Sequence, residues 1–151
     1  LHHVENTVDA LPEFHRVLRP GGRLIFCEPA ITLVSSVFYR LFHPEPVDMS
    51  ADPLAAGSIS ADKHPFDSNQ ALPTLLVGRY RAALAQSVPG LELLSVDRFS
   101  FLAYPLSGGF RPWSLLPEML TKPLLAAEWT VRGVFGRLAA FRLLAVYRKG
   151  S

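Results

Sequence analysis

The chain has 151 residues, of which 49% are hydrophobic and 19% charged, a composition that suits one globular domain with a real core. It contains no run of 18 uncharged apolar residues, which excludes an ordinary membrane-spanning helix, and its single cysteine, Cys27, excludes an intramolecular disulfide. The net charge of +2 hides an asymmetry, because residues 1–97 carry 7 basic and 11 acidic residues and residues 98–151 carry 8 and 2. The basic half suits an anionic substrate or a membrane surface, or it is a solvated face.

The first predicted elements are a helix and a strand joined by a tight turn. Asn6 or Thr7 can cap a helix that is predicted to end at about Leu18. Pro12 favours the alternative of a start nearer Leu11, because proline is tolerated only in the first turn. Pro20 cannot continue a helix, and the two glycines that follow it supply the backbone freedom for a reversal. One of these glycines is expected to adopt a positive φ.

A strand is predicted at 23–28. Leu24 to Cys27 is a continuous apolar run, which is typical of a strand covered on both faces, and Cys27 is expected to be a small buried side chain. Helix, turn and strand together make half of an α/β repeat.

Further helices and strands follow along the chain. A helix is predicted over 31–42, with a buried face formed by Val34, Val37, Phe38, Leu41 and Phe42. Residues 43–68 lack periodicity, and we interpret them as a lid-like insert, with a disordered insert as the alternative. A helix at 69–87, a strand at 91–104 bent near 97–98, a helix at 115–134 interrupted at Pro123 and a strand at 141–147 complete the prediction.

The N-terminal segment closely resembles the class I S-adenosylmethionine-dependent methyltransferases, of the kind called methyltransferase type 11. It is similar to the part that runs from the end of strand four through strand five. The residues that carry the resemblance are Leu1, His2, His3, Val17, Leu18, Pro20, Gly21, Gly22, Leu24, Ile25 and Glu28. The resemblance implies an α/β fold, namely the C-terminal half of a Rossmann-like methyltransferase. Its sheet would be partly parallel, with an antiparallel final strand inserted beside the strand at 23–28.

The glycine-rich loop and the ribose-binding carboxylate of that family cannot be placed in this sequence. Leu1 also opens inside a family pattern that is already under way. We therefore expect residues 1–151 to be the C-terminal part of a single methyltransferase domain, with the cofactor-loop half outside the chain. Alone, the chain is expected to be inactive, to bind S-adenosylmethionine very weakly and to self-associate through the unpaired apolar edge of its first strand.

The resemblance implies that Leu1, His2 and His3 line the S-adenosylmethionine site. The alternative is that one of the two histidines packs under the adenosine or caps the next helix. Glu28 ends its strand at the edge where α/β sheets bind ligands, so it is predicted to bind the substrate. Accepting hydrogen bonds from loop amides is an equal alternative for Glu28.

The insert carries the other candidate site residues. His43 and Glu45 are predicted to be catalytic, as a histidine–carboxylate pair that takes a proton from the methyl acceptor, and His64 is predicted to bind substrate. A purely structural loop is the alternative. No metal site is predicted, because these residues lack a recognised ligand spacing and have no partner cysteines.

The expected partner is a small-molecule methyl acceptor. An apolar and basic rim suits a lipid-like acceptor or a peripheral membrane contact, with packing beneath the insert as the alternative; it comprises Phe110, Arg111, Trp113, Leu115 and Leu116. Nucleic acid is not expected, because the basic residues do not alternate with aromatics in a stripe. Acidic residues interrupt the N-terminus, so a signal peptide is not indicated and a cytoplasmic enzyme is expected. The oligomeric state stays open.

Two other functions remain open at this point. One is a non-catalytic α/β interaction module, and the other is half of a different doubly wound nucleotide enzyme, such as a dehydrogenase. The sequence upstream of Leu1 distinguishes them. An Asp/Glu-x-Gly-x-Gly loop supports the methyltransferase, and a G-x-G-x-x-G loop followed by an acidic residue about 20 positions later supports the dehydrogenase.

Overall fold

A computed structural model of the chain describes residues 1–4, 6–56, 68–109 and 111–150. The fold is mixed α/β, which confirms the predicted class. In chain order the elements are α1 (Thr7–Val17), β1 (Arg23–Pro29), α2 (Leu33–Phe42), α3 (Leu72–Val77), α4 (Arg81–Ser87), β2 (Leu91–Phe99), α5 (Ala103–Leu106), α6 (Glu118–Ala139) and β3 (Arg142–Lys149). Among the described residues, no helix has the length and apolar character needed to cross a membrane.

The three strands form one sheet in the order β1-β3-β2, and both neighbouring pairs are antiparallel. β3 comes last in the sequence but lies in the middle of the sheet, beside β1, as the family resemblance implies. Arg23 pairs with Arg148 at one end of β1, and Pro29 pairs with Arg142 at the other. Neighbouring strands in the described part of the chain are never parallel, so the parallel portion of the predicted sheet stays a prediction.

Helix α1 begins earlier than its proline indicates. It starts at Thr7 and holds Pro12 in its interior, so the predicted start near Leu11 is wrong. Thr7 and Leu11 are both almost fully buried, and their packing stabilises the turn that proline leaves without one backbone hydrogen bond. Tertiary burial therefore outweighs the local preference here.

The turn from α1 to β1 follows the prediction. Gly21 has a φ of +73°, the left-handed conformation that glycine adopts without strain. The side chain of Lys149 reaches back from β3 and donates from Nζ to the carbonyls of His15 and Leu18, each at 2.9 Å. These bonds satisfy carbonyls at the end of α1 and tie the helix to the central strand.

Strand β1 is covered on one face only in the described structure. Leu24 and Phe26 pack against the core, whereas Ile25 is 59% exposed and Cys27 is exposed. The predictions of a strand buried on both faces and of a buried cysteine are therefore wrong for these residues. An apolar run does not reveal whether both faces receive a cover.

Helix α2 turns a different face inward from the one predicted, and of the predicted face only Phe38 packs against the core. Its buried residues are Ser35 and Tyr39, and Phe38 is partly buried. Ser35 Oγ donates to the Ala30 carbonyl at 2.6 Å, and Tyr39 Oη donates to the Phe141 carbonyl at 2.8 Å. These buried hydrogen bonds fix the orientation of the helix. The apolar side chains left exposed are Leu33, Val34, Val37, Leu41 and Phe42.

Three further boundaries differ from the predictions. The helix predicted at 69–87 is divided into α3 and α4 by a turn at residues 78–80. Strand β2 ends at Phe99 because Ser100 adopts a φ of +64°, and its register shift lies between Leu93 and Ser95 rather than near residues 97–98. Helix α6 continues through Pro123 to Ala139 without a break.

Two apolar clusters hold the elements together. The larger packs α1, α3 and α4 against the sheet; its buried members are Leu11, Ala30, Leu76, Val77, Leu84, Val88, Leu91, Leu143, Ala145 and Tyr147. The smaller is aromatic and comprises Tyr39, Tyr104 and Phe141, with Phe38 packed against it. The aromatic cluster lies where α2 meets the start of β3, near the end of β1 that carries Glu28.

Candidate functional site

The site is built at the carboxyl end of β1, where the N-terminal residues meet the strand. Glu28 is 7% exposed and accepts a hydrogen bond from the backbone nitrogen of Leu1. Its other carboxylate oxygen lies 2.5 Å from Nδ1 of His2. The strand end therefore holds the histidine ring in place, and the predicted residues Leu1, His2 and Glu28 are in direct contact.

A second carboxylate, Glu45, lies on the other side of the histidines. Glu45 is 8% exposed, and its Oε1 is 3.3 Å from Nε2 of His3. Its Oε2 is 3.7 Å from Nε2 of His2. The two histidine rings lean against each other, with centroids 4.3 Å apart. Sequence positions more than 40 apart thus converge on one small polar volume.

Gln70 links Glu45 to His43. Its Nε2 donates to Oε2 of Glu45 at 2.9 Å and lies 2.7 Å from Nδ1 of His43. The backbone nitrogen of Glu45 also donates to His43 Nδ1, at 3.2 Å. The side-chain amide of Gln70, which is 1% exposed, therefore connects the predicted pair His43 and Glu45.

The loop that carries Glu45 is fastened at several points, although residues 43–56 contain no helix or strand. Asn69 and Asp48 exchange two hydrogen bonds of 3.0 and 2.9 Å, and the Gln70 nitrogen donates to the Pro46 carbonyl at 3.1 Å. Thr7 at the start of α1 donates to the carbonyl of Pro53. These bonds give the loop a defined path beside the histidines.

Burial and hydrogen bonding set the charge states of two site residues. Burial raises the pKa of the Glu28 carboxyl, but the hydrogen bonds from His2 and from the Leu1 nitrogen outweigh it and hold the pKa at about 2. Burial lowers the pKa of His43, against the opposing effect of Glu45. At neutral pH Glu28 is therefore ionised and His43 is neutral.

An aromatic wall and an apolar cleft adjoin the polar residues. The guanidinium of Arg142 lies 4.8 Å from the ring centroid of Tyr104, and burial raises the pKa of both Tyr39 and Tyr104. A cleft of about 230 Å³ opens beside α2 and is lined by Phe38, Phe42, Gly108, Arg111 and Trp113. Because α2 ends at Phe42 and His43 follows it, the last turn of this helix connects the apolar cleft to the polar residues.

The structure brings together six of the seven predicted site residues, namely Leu1, His2, His3, Glu28, His43 and Glu45. The seventh, His64, lies outside the described residues. Gln70, which connects His43 and Glu45, was not predicted, because a single amide at the start of a helical pattern carries no sequence signal. The arrangement can hold or transfer protons, orient a polar ligand and offer nitrogen and oxygen ligands to a cation.

Comparison with known protein families gives one match, at the N-terminal end of the chain. A family described as "Methyltransferase domain" matches residues 1–26, which contain His2, His3, α1, the glycine turn and the first half of β1. No curated protein matches the chain. This match covers 26 of the 151 residues and, over that segment, supports the resemblance to a class I S-adenosylmethionine-dependent methyltransferase-like domain.

Proposed function

We propose that this chain supplies the second half of an S-adenosylmethionine-dependent methyltransferase that acts on a small molecule. The observation that carries the proposal is positional. The family match runs into β1, and Glu28, the penultimate residue of β1, is a buried carboxylate in contact with His2, which in turn lies beside the buried Glu45. Ligands of open α/β sheets bind at this end of the strands.

The residues present fit one side of the cofactor. His2 and His3 have side chains that are 18% and 47% exposed, so they offer ring faces to an adenosine group. The glycine-rich loop that would hold the methionine end cannot be placed in this sequence. We therefore propose that a preceding half-domain supplies this loop and a strand parallel to β1, which would complete a Rossmann-like sheet.

S-adenosylmethionine, when bound, supplies an electrophilic methyl group. The part left to this chain is to position the acceptor and to accept its proton. In our proposal the cleft between Phe38 and Trp113 takes the apolar part of the acceptor, and Glu28 and His64 contact its polar part. His43 and Glu45, aligned through Gln70, act as the acid–base group.

The cleft and the basic C-terminal half also support a peripheral contact with a membrane, from which an apolar acceptor would be taken. Arg111 and Trp113 line this cleft and carry one charge and one large aromatic ring, the combination found at membrane interfaces. The cytoplasmic location expected from the sequence is part of the same proposal.

The proposed function is tested in the complete enzyme with His43→Ala. Turnover should fall about tenfold or more, as expected for loss of a positioned acid–base group. The dissociation constant of S-adenosylmethionine should hardly change, because His43 is separated from His2 and His3 by Glu45. Turnover is measured by methyl transfer and binding by calorimetry.

His15→Ala is the matched control, since His15 lies in the last turn of α1, at the opposite end of β1 from Glu28. Absence of any methyl transfer from S-adenosylmethionine by the unaltered enzyme would refute the proposed function. Equal turnover in His43→Ala and His15→Ala would refute only the role of His43.

A further inference from the structure

We infer that His2, His3 and Glu45 form a binding site for a divalent transition-metal ion of the zinc class. Each residue contributes one ligand atom, and the three atoms lie within 4.8 Å of one another. Two imidazoles and one carboxylate form a donor set that zinc accepts, and imidazole also suits Fe, Ni and Cu. No metal site was predicted from the sequence, because these residues lack a recognised ligand spacing and Glu45 lies 42 positions beyond His3.

The observed distances fit the geometry of such a site. Zinc binds nitrogen and oxygen at about 2.0–2.2 Å, so two ligands in a tetrahedral site are about 3.3 Å apart. His3 Nε2 and Glu45 Oε1 are 3.3 Å apart, and His2 Nε2 and Glu45 Oε2 are 3.7 Å apart. The His3 side chain is 47% exposed, so its ring has room to rotate and bring a ring nitrogen closer to the other two ligand atoms.

The contacts behind the ligands point to the same conclusion independently. Glu28 binds Nδ1 of His2 at 2.5 Å, which places the ring proton on Nδ1 and the lone pair of a neutral ring on Nε2. This carboxylate–histidine contact is the usual support of a metal-binding histidine. Gln70 supports Glu45 in the same way, by donating to its Oε2 at 2.9 Å.

This arrangement leaves a lone pair facing a carboxylate at a buried position. The Nε2 lone pair of His2 and the Oε2 atom of Glu45 are both acceptors, and Glu45 is 8% exposed. A metal ion between these two acceptors would offset their mutual repulsion.

Three protein ligands leave a fourth position of a tetrahedral ion open, as in catalytic zinc sites. An oxygen of the acceptor can occupy that position and become more acidic there. In that case Glu45 acts as a ligand, and proton transfer falls to His43. This role rests on the proposed methyltransferase function, whereas metal binding itself does not.

The test uses the 151-residue chain carrying Cys27→Ser, because the exposed thiol of Cys27 would bind the same metals. After treatment with a chelator and dialysis, Zn²⁺ is titrated by calorimetry, and Co²⁺ is added to a parallel sample to record its visible absorption. We expect one equivalent of Zn²⁺ to bind, a Co²⁺ spectrum typical of four-coordination and no competition from Mg²⁺, which prefers oxygen ligands.

Substitutions assign the ligands. His3→Gln and Glu45→Gln should each weaken Zn²⁺ binding by roughly 100-fold or more, and Glu28→Gln, which removes only the support of His2, by about 10- to 100-fold. His15→Gln, in α1, is the control and should bind as the parent does. Circular dichroism verifies folding, and if Glu45→Gln does not fold, the half-exposed His3→Gln decides.

The inference is overturned if Zn²⁺ does not bind saturably. It is also overturned if Zn²⁺ binds His3→Gln and Glu45→Gln as tightly as His15→Gln. Binding of S-adenosylmethionine to the complete enzyme with chelator present tests the proposed function separately, so the two failures are distinguishable.

Discussion

The turn between α1 and β1 depends on two glycines with different constraints. Gly21 has a φ of +73° but open space around its missing Cβ, whereas a Cβ on Gly22 would lie 2.7 Å from the Arg19 carbonyl oxygen. We expect Gly21→Val and Gly22→Val each to lower the free energy of unfolding by roughly 1–3 kcal/mol, through backbone strain in the first and a steric clash in the second. Urea denaturation measures both.

Gly133 offers a matched control within α6. Its Cβ would meet nothing within 4 Å, and its φ is not positive. Gly133→Ala should therefore stabilise the chain by up to about 1 kcal/mol, the difference in helix propensity between the two residues. If both valine variants unfold at the same urea concentration as the parent, the turn does not need glycine.

Individual side chains differ in how well the sequence predicts their role. Glu28 was predictable because a strand end is a defined place in an α/β sheet, and His2 followed from the family resemblance. That Glu45 lies against both N-terminal histidines was not predictable, since it depends on the path of a loop without periodicity. Gln70 was missed for the same reason, because its partners are brought to it by that loop.

At the scale of elements, a buried carboxylate of α6 holds the start of α5. Glu128 is 4% exposed, and its Oε1 accepts hydrogen bonds from the backbone nitrogens of Leu102 and Ala103, at 2.5 and 2.9 Å. We expect Glu128→Ala to lower the free energy of unfolding by roughly 2–3 kcal/mol, because two backbone donors lose a charged acceptor. Glu128→Gln keeps an acceptor and should lose less.

Glu118→Ala is the control, since Glu118 is exposed in the first turn of the same helix. Its effect should stay below about 1 kcal/mol, the range of a charge–dipole interaction. Thermal and urea unfolding of the three variants provide the comparison. Similar losses in Glu128→Ala and Glu118→Ala would show that the buried contact does not hold α6 in place.

Elements were predictable where local chemistry terminates them and unpredictable where packing decides. Pro20 and Gly21 end α1 and start β1 close to the predicted positions. The extent of β2 was overestimated because Phe99 and Phe101 continue an apolar pattern across Ser100, whose positive φ ends the strand. The buried face of α2 was predicted wrongly because the prediction followed the apolar residues, most of which are exposed. The hydrogen bond of Tyr39 helps to decide which face lies inward, and it leaves no pattern in the sequence.

At the scale of the whole molecule, the described surface is unusually apolar. Leu41 of α2 is 69% exposed, and Met119 and Val134 of α6 are 82% and 77% exposed. One edge of β1 has no partner strand among the described residues. We expect the chain to self-associate, because exposed apolar patches and unpaired strand edges both favour association. Sedimentation velocity over a range of concentrations measures this.

The contributions of the two surfaces can be separated by substitution. Met119→Glu with Val134→Glu should lower the association if the helices are responsible, whereas Lys122→Glu, which alters charge but no apolar side chain on α6, should not lower it equally. Association that persists in the double variant would assign it to the edge of β1. A parent chain that sediments as a monomer at every concentration would contradict the prediction.

The central position of β3 has a consequence for the order in which the chain folds. Both β1 and β2 are synthesised before β3, yet each pairs only with β3 in the described sheet. The paired residues Arg23 and Arg148 are 125 positions apart in the sequence, so a long loop has to close before they can pair. Folds dominated by such distant contacts fold slowly. During synthesis β1 therefore stays unpaired until β3 is made, and β2 is unpaired as well from residue 99 onward, and this is the interval in which the chain is most exposed to misassembly.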